Sequence, residues 1–171
     1  MIKSIRAAAT LAAFAATAVF SNAASAAYSF SNTGSGDGYL VGSAPSFALF
    51  SADNDTGSSY ATYTETFGAA KTVEFSWNYT SHDTDGGNYD PAGYVLNGNF
   101  FQLSNSGYSA SGTTYVSVHA GDTFGWYEHS TDSVEGRGEL KVSVVPEPGN
   151  MALLIAGLGA LAIAARRRRS V

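Results

Sequence analysis

The chain has 171 residues and no cysteine, and its 14 acidic residues outnumber nine basic ones to give a formal net charge of −5. Six of the basic residues lie near the two ends, so residues 27–148 hold three basic against all 14 acidic residues, a net charge of −11. Such a charge argues against nucleic acid and anionic lipid as partners of this segment, and it is compatible with cations or neutral glycans. The lack of cysteine excludes disulfide bonds and thiol catalysis.

The first 26 residues have the pattern of a secretory signal peptide. Lys3 and Arg6 precede an apolar stretch from Ala7 to Phe20, and a run of small residues follows. A positive start, a short apolar region and an A-x-A site are typical of a segment that is removed on export. The pattern predicts cleavage after Ala26, with Ala27 as the alternative, and an exported domain over residues 27–145.

The exported segment favours strands joined by tight turns. Twenty of the 22 aromatic residues lie between Tyr28 and Tyr127, among many Gly, Ser, Thr and Asn residues. Residues 28–46 predict a mostly irregular lead-in with one edge strand. Asn97 and Gly98 predict a tight hairpin or, alternatively, a bulge within one strand. The strands predicted after the lead-in cover residues 47–51, 59–67, 71–80, 93–98, 99–103, 113–119, 123–127 and 139–145.

Residues 71–80 give the clearest strand signal. Val73, Phe75, Trp77 and Tyr79 alternate with polar residues over four repeats, which predicts a half-buried strand with these four side chains in the core. Eight or so such strands, with turn signals between them and no internal repeat, predict an all-β fold. We expect one antiparallel β-sandwich of jelly-roll or CUB-like type.

Three aspartates in one turn-forming stretch form a candidate metal site. Asp83, Asp85 and Asp90 lie among glycines whose carbonyls could add further oxygen ligands, and Ca²⁺ prefers six to eight oxygens. The EF-hand pattern is absent, because the twelfth position counted from Asp83 is Tyr94 rather than glutamate. A calcium site would therefore need ligands from another loop, for which the candidates are Asp132, Asp53 and Asp55. The alternative is that these aspartates only hydrogen-bond within their own turn.

The sequence contains no catalytic motif that points to an enzyme. His82, His119 and His129 are present, but no G-x-S-x-G elbow, H-E-x-x-H helix or phosphate-binding glycine loop accompanies them. We therefore predict a protein without catalytic residues. Glycan binding is a further hypothesis, because aromatic rings on loops can stack on sugars. The candidate rings are Tyr89, Tyr94, Tyr108, Trp126 and Tyr127.

Residues 146–171 form a tail of three parts. Pro146, Glu147 and Pro148 make a stiff, non-helical stretch, because each proline lacks a backbone donor and restricts its neighbour. An uncharged apolar run follows over residues 151–165. As a helix this run would be about 22 Å long, short of the roughly 30 Å of a bilayer core. We nevertheless predict a transmembrane helix over residues 150–165, because a helix that is apolar on all sides needs lipid or full burial, and the arginine side chains that follow can extend to the membrane interface.

A cluster of fixed positive charge follows the apolar run directly. This arginine cluster consists of Arg166, Arg167, Arg168 and Arg169. Arginine next to a membrane span is held on the cytoplasmic side. The four residues are therefore predicted to retain the end of the tail in the cytoplasm, with everything before residue 151 on the outer side of the membrane.

The tail resembles the PEP-CTERM sorting signal of exopolysaccharide-producing Gram-negative bacteria. The resemblance implies recognition by exosortase, a membrane protease with a cysteine nucleophile that cuts near the PEP motif. Pro146, Glu147 and Pro148 would then be recognition residues. The region from Val73 to Ser143 also resembles exported domains found in PEP-CTERM proteins, which implies a β-sandwich and no defined activity.

Together these features predict an exported protein of the cell surface or extracellular matrix with no cofactor other than a candidate Ca²⁺. Its precursor would be anchored in the inner membrane, with the domain in the periplasm, until exosortase processes it. The expected partners are exosortase, the membrane before processing, and exopolysaccharide. The alternative is a permanently anchored sandwich that binds calcium or glycan.

Overall fold

The computed structural model describes residues 27–104, 107–146 and 156–159. Ten strands fill the first two of these ranges. They are β1 (Ser29–Asn32), β2 (Tyr39–Ser43), β3 (Ser46–Phe50), β4 (Ser59–Thr66), β5 (Lys71–Ser81), β6 (Ala92–Leu96), β7 (Asn99–Gln102), β8 (Ser109–Val118), β9 (Thr123–Ser130) and β10 (Gly138–Val144). The all-β prediction is therefore confirmed for the described residues.

The strands form two five-stranded antiparallel sheets. The first sheet has the order β1-β4-β9-β6-β7 and the second has the order β2-β3-β10-β5-β8. From β3 to β10 the chain changes sheet at every connection except the β6–β7 hairpin, as in a jelly roll, and β1 and β2 are each added to one edge. The chain thus belongs to the two-layer sandwich class that its strand pattern predicts.

The lead-in prediction was wrong in part. Residues 28–46 hold two strands, β1 and β2, rather than one edge strand in an irregular segment. Strand β1 pairs with β4, and β2 pairs with β3 through the short connection at Ala44 and Pro45. Neither strand has a run of alternating apolar residues, because Gly and Ser occupy many positions of this segment. The sequence pattern therefore did not identify them. Strands β8 and β9 also extend beyond their predicted bounds, to Ser109 and Ser130.

Aromatic residues from both sheets form the centre of the core. Trp126 of β9 is fully buried and meets Phe47, Phe75 and Phe124 edge-on, with ring centroids 5.1–5.3 Å apart. Edge-to-face contacts of this kind add to the stabilisation that comes from burial alone. The inward face predicted for β5 is confirmed, although Trp77 is only half-buried at its position beside β8.

The hairpin prediction at Asn97 and Gly98 is also confirmed. Both residues have positive φ, at 52° and 79°, in the two-residue turn between β6 and β7. A two-residue turn with positive φ at both positions matches the right-handed twist of the strands that it joins.

The strand directions give the sandwich two distinct ends. The tail end contains the last residues of β10 and the start of β1, and Ala27 and Val144 line one shallow pocket there. The opposite end, which we call the loop end, carries five connections. They cover residues 33–38, 51–58, 82–91, 131–137 and the described part of 103–108. Both ends of the sandwich chain therefore lie away from these loops.

Candidate functional site

The loop end concentrates negative charge. Eight of the chain's 14 acidic residues lie in its connections, against a single arginine, Arg137. Arg137 is already engaged: its Nη2 lies 2.6 Å from Asp37 Oδ2, and its Nη1 donates to the carbonyl of Ser51. The hydrogen bond from Arg137 to Asp37 is the main reason that the pKa of Asp37 is lowered. With a single arginine against eight acidic residues, the loop end keeps an excess of negative charge, so a cation is the partner that this charge favours.

The structure brings two of the predicted calcium ligands together with a third residue. One carboxylate oxygen from each of Asp83, Asp85 and Glu135 lies within 4.8 Å of the others. The Thr84 hydroxyl donates to Glu135, and the Thr84 amide donates to the Glu135 carbonyl, so the loops 82–91 and 131–137 are joined. Burial, followed by the charges of its acidic neighbours, raises the pKa of Asp83. These oxygens form a donor set of the kind that Ca²⁺ accepts.

Asp90, the third predicted ligand, lies apart from this group. Its side chain is fully buried, and its Oδ1 accepts a 2.7 Å hydrogen bond from Ser51. Its main-chain carbonyl accepts another from the hydroxyl of Tyr79, also at 2.7 Å. Burial raises the pKa of Asp90 to about 6, and the charge of Asp83 adds to this rise.

The other proposed ligands take up structural roles. Asp53 Oδ1 accepts from the amide of Gly136, and Asp132 Oδ1 accepts from the amide of Val134. The amide of Asp55 donates to the carbonyl of Ser133. None of these three belongs to the oxygen cluster found among the described residues. Asp132 thus stabilises its own turn, whereas Asp53 joins the loop 51–58 to the loop 131–137.

Glu128 is an acidic residue of the site that the sequence prediction missed. It lies in β9, fully buried, and both of its carboxylate oxygens lack a hydrogen-bond partner. Burial raises its pKa well above the usual range, with further contributions from Asp90 and Glu139. Alternation from Phe124 and Trp126 would have placed residue 128 on the core face. The predicted strand ended at Tyr127, three residues before the end of β9, and so left Glu128 out.

The candidate glycan-binding rings separate into buried and exposed groups. Trp126 is in the core, and Tyr127 is covered by Phe100, with ring centroids 4.9 Å apart. Tyr94 is half-buried against Phe101. Tyr89 and Tyr108 remain exposed, and both lie at the loop end. Only these two of the five candidate rings are therefore open to a ligand.

The three candidate histidines are divided between the two ends of the sandwich. His129 stacks on Tyr60 at 4.1 Å, and its Nε2 lies 2.9 Å from the hydroxyl of Ser58. His119 lies at the tail end beside Asp122, while His82 follows β5 at the loop end and His129 lies near the loop end of β9. His119 is therefore separated from the other two by the length of the sandwich.

The fold and the site thus define an acidic jelly-roll sandwich with a charged loop end and a chain that leaves from the opposite end. Residues 144–169 match the PEP-CTERM protein-sorting motif, so the match begins at the last residue of β10. The chain is therefore a protein with a PEP-CTERM sorting signal, as its tail predicts. This motif implies export and membrane-associated sorting by exosortase.

A solved structure of a carbohydrate binding module is similar to this chain in fold, at low sequence identity. A family 35 carbohydrate binding module from an environmental isolate is similar to this chain, with 16% sequence identity and a TM-score of 0.39. The similarity covers 73% of this chain and 90% of the module. At that score it says nothing about the ligand of this chain. No curated protein matches the chain.

The tail itself lies largely outside the described residues. Within it the structure describes Val145, Pro146 and a helical turn at residues 156–159. No described helix has the length and apolar character needed to cross a bilayer. Glu147 and Pro148 of the PEP motif, most of the predicted transmembrane helix over residues 150–165 and the signal peptide over residues 1–26 lie outside the described ranges.

The predicted retention residues also lie outside the described ranges. The match to the sorting motif ends at residue 169 and so includes the whole arginine cluster. The structure describes none of its four members, so their retention in the cytoplasm stays a prediction. They are Arg166, Arg167, Arg168 and Arg169.

Proposed function

We propose that this chain is an exported surface or matrix protein that exosortase recognises at Pro146, Glu147 and Pro148 and cuts in that region. The observation that supports this function is the sorting-motif match, which starts where the sandwich ends. In this proposal residues 150–165 hold the precursor in the inner membrane, and the arginine cluster retains its end in the cytoplasm.

The position of the cut site relative to the fold supports processing. The last main-chain contacts of the sandwich are made by the amides of Val144 and Val145, which donate to Pro45 and Glu74. Pro146 is exposed immediately after them. Cleavage near the PEP motif would therefore release a sandwich that retains all ten strands.

The proposal also implies an orientation for the tethered precursor. Since the tail leaves from the tail end, the loop end with its carboxylates and exposed tyrosines would face away from the membrane. A ligand in the surrounding matrix could then reach these loops both before and after processing.

The experiment that tests the sorting proposal is an intact-mass measurement on protein recovered from a host that contains exosortase. We expect the wild-type chain to lack the apolar run and the arginine cluster. A chain with Pro146→Ala, Glu147→Ala and Pro148→Ala should keep them and stay in the membrane fraction. An arginine cluster retained on wild-type protein at the cell surface would refute processing and favour a permanent anchor.

Glycan binding at the loop end is the second candidate function. Tyr108 is 57% exposed, and its hydroxyl donates to the carbonyl of Thr84, which holds the ring beside the acidic loops. A fixed, exposed ring can stack on the apolar face of a sugar. We expect Tyr108→Ala to weaken retention on the host's exopolysaccharide by at least about fivefold, on the scale of one aromatic contact.

A second exposed tyrosine supplies the matched control for this test. Tyr115 is 64% exposed but lies on β8, away from the loop end. Tyr115→Ala should leave retention unchanged. Equal losses in the two variants, or no retention of the wild-type protein, would remove the glycan hypothesis while leaving the sorting proposal intact.

A further inference from the structure

Two buried acidic residues lie beneath the loop end, close enough for the charge of one to affect the other. Glu128 and Asp90 are both fully buried, and three of their four carboxylate oxygens have no hydrogen-bond partner: both of Glu128 and Oδ2 of Asp90. Unpartnered buried carboxylate oxygens are strongly unfavourable, because each has lost its hydration. Such a group in a folded protein needs a specific physical explanation.

Gly138 lies against both acidic residues. A Cβ built on Gly138 would lie 2.7 Å from Glu128 Oε2 and 2.8 Å from Asp90 Cβ. Any side chain at residue 138 would therefore displace one of the two acids. The absence of a side chain at this position therefore lets both acidic residues lie against the start of β10.

The surroundings of the pair supply oxygen atoms rather than positive charge. The hydroxyl of Ser51 donates to Asp90 Oδ1 and accepts from the amide of Gly138 at 2.8 Å. Ser130, also buried, places its hydroxyl beside Asp90. The described basic groups are engaged elsewhere: Arg137 with Asp37, and Lys141 with Glu139. Lys71 lies at the tail end, over the ring of Phe67.

A shared proton explains only part of this arrangement. One proton between the acids would join one oxygen of Glu128 to Asp90 Oδ2, and the second oxygen of Glu128 would still lack a partner. A bound cation can contact all three oxygens at once. The all-oxygen surroundings favour a hard cation such as Ca²⁺, which accepts bidentate carboxylates and irregular geometry, over metals that prefer nitrogen or sulfur.

We propose that Glu128 and Asp90, beside Gly138, form a buried calcium site that fastens β9 to the loop before β6. The site is distinct from the group of Asp83, Asp85 and Glu135, which we call the surface group because Asp85 and Glu135 are exposed. Its role is structural: the ion holds β9 and this loop together directly beneath the loops that face away from the tail.

The test is calcium binding and thermal unfolding of the full-length chain, purified in detergent, stripped with chelator and then titrated with CaCl2. We expect one tightly held Ca²⁺ per chain to depend on Glu128. At a calcium concentration about 100-fold above the dissociation constant, Tm should rise by about 10 °C. Wild-type protein that binds no calcium, or whose Tm ignores calcium and chelator, would overturn the proposal.

Glu128→Gln distinguishes a lost ligand from a damaged fold. Glutamine keeps the size of the side chain and removes the buried charge, so the variant should melt at or above the wild-type Tm in chelator. In calcium it should melt below the wild type, because it gains nothing from the ion. A variant that still gains the wild-type shift in Tm would overturn the proposal.

The surface acids provide the matched control. The double variant Asp85→Asn and Glu135→Gln removes two carboxylates of the surface group and leaves the buried pair in place. We expect it to retain the tightly bound ion and the shift in Tm. Loss of both in this variant, with both retained in Glu128→Gln, would assign the ion to the surface group and overturn the buried site.

Discussion

Strand β10 is the last element before the sorting signal, and its contribution to stability determines where the tail can be cut. It lies between β3 and β5, with five residues in register with β3 and seven with β5. Leu140 and Val142 point into the core and are 0% and 3% exposed. We predict that a chain ending at Val145 folds and that a chain ending at Arg137 does not.

The expected loss in the free energy of unfolding follows from the side chains that β10 buries. Leu140 and Val142 each contribute roughly 1.5–3 kcal/mol through burial, or roughly 3–6 kcal/mol together. Removing β10 also leaves hydrogen-bonding groups of β3 and β5 unpaired along the two edges that face β10. The total approaches the roughly 5–15 kcal/mol by which a domain of this size is stable. A cut within β10 would therefore unfold the sandwich, whereas a cut after Val145 would leave its free energy of unfolding nearly unchanged.

The assay is urea unfolding followed by tryptophan fluorescence, with single substitutions beside the truncations. Leu140→Ala should lower the free energy of unfolding by about 2–5 kcal/mol, the usual range for a fully buried leucine. Lys141→Ala, on the outward face of the same strand, should change it by less than about 0.5 kcal/mol. A folded chain that ends at Arg137, or a Leu140→Ala variant as stable as Lys141→Ala, would refute this view of β10.

Two further predictions concern residues away from the tail. Burial lowers the pKa of His129, because it disfavours the charged form of the imidazole. The contribution of neutral His129 to the stability of the fold is therefore complete above the ordinary pKa near 6.5, and it is lost as pH falls through the lowered pKa. His129→Gln should therefore lose less Tm than the wild type between pH 7.5 and pH 5, and equal losses would contradict this assignment. Gly125→Ala should lower the free energy of unfolding by about 1–3 kcal/mol or more, because the new Cβ would collide with the main chain of β4 at Tyr63 and Thr64. Gly68→Ala, which meets no atom within 4 Å, is its control in urea unfolding; similar losses in both would contradict the steric explanation.

The sequence pattern predicted those strands and turns whose formation depends mainly on residues that are neighbours in the chain. Alternation of apolar and polar residues identified β5, and Asn97 with Gly98 identified the hairpin, because each signal depends on neighbours in the chain. Strands β1 and β2 carry no such signal. They form because β4 and β3 offer unpaired edges, which is a property of the assembled sheets and not of residues 28–46.

The candidate site depended far more on the assembled structure. Asp83 and Asp85 share a turn and could be paired from their spacing, but Glu135 joins them from 50 residues away. Asp90, in the same stretch of sequence, turns instead into the core beside Ser51. Spacing along the chain could not separate Asp90 from Asp83 and Asp85, because the difference lies in the distant residues that each carboxylate meets in the folded chain.

By itself the sequence determined the sorting signal, the charge of the exported segment and the sandwich class, since each follows from composition or from short-range order. Only the tertiary structure decided that the acids gather at the end opposite the tail, and that Glu128 lies beside Asp90 under Gly138. The physical reason is that strand pairing and the stacking of two sheets bring distant residues together. The cost of burying a carboxylate then depends on those neighbours and not on its place in the chain.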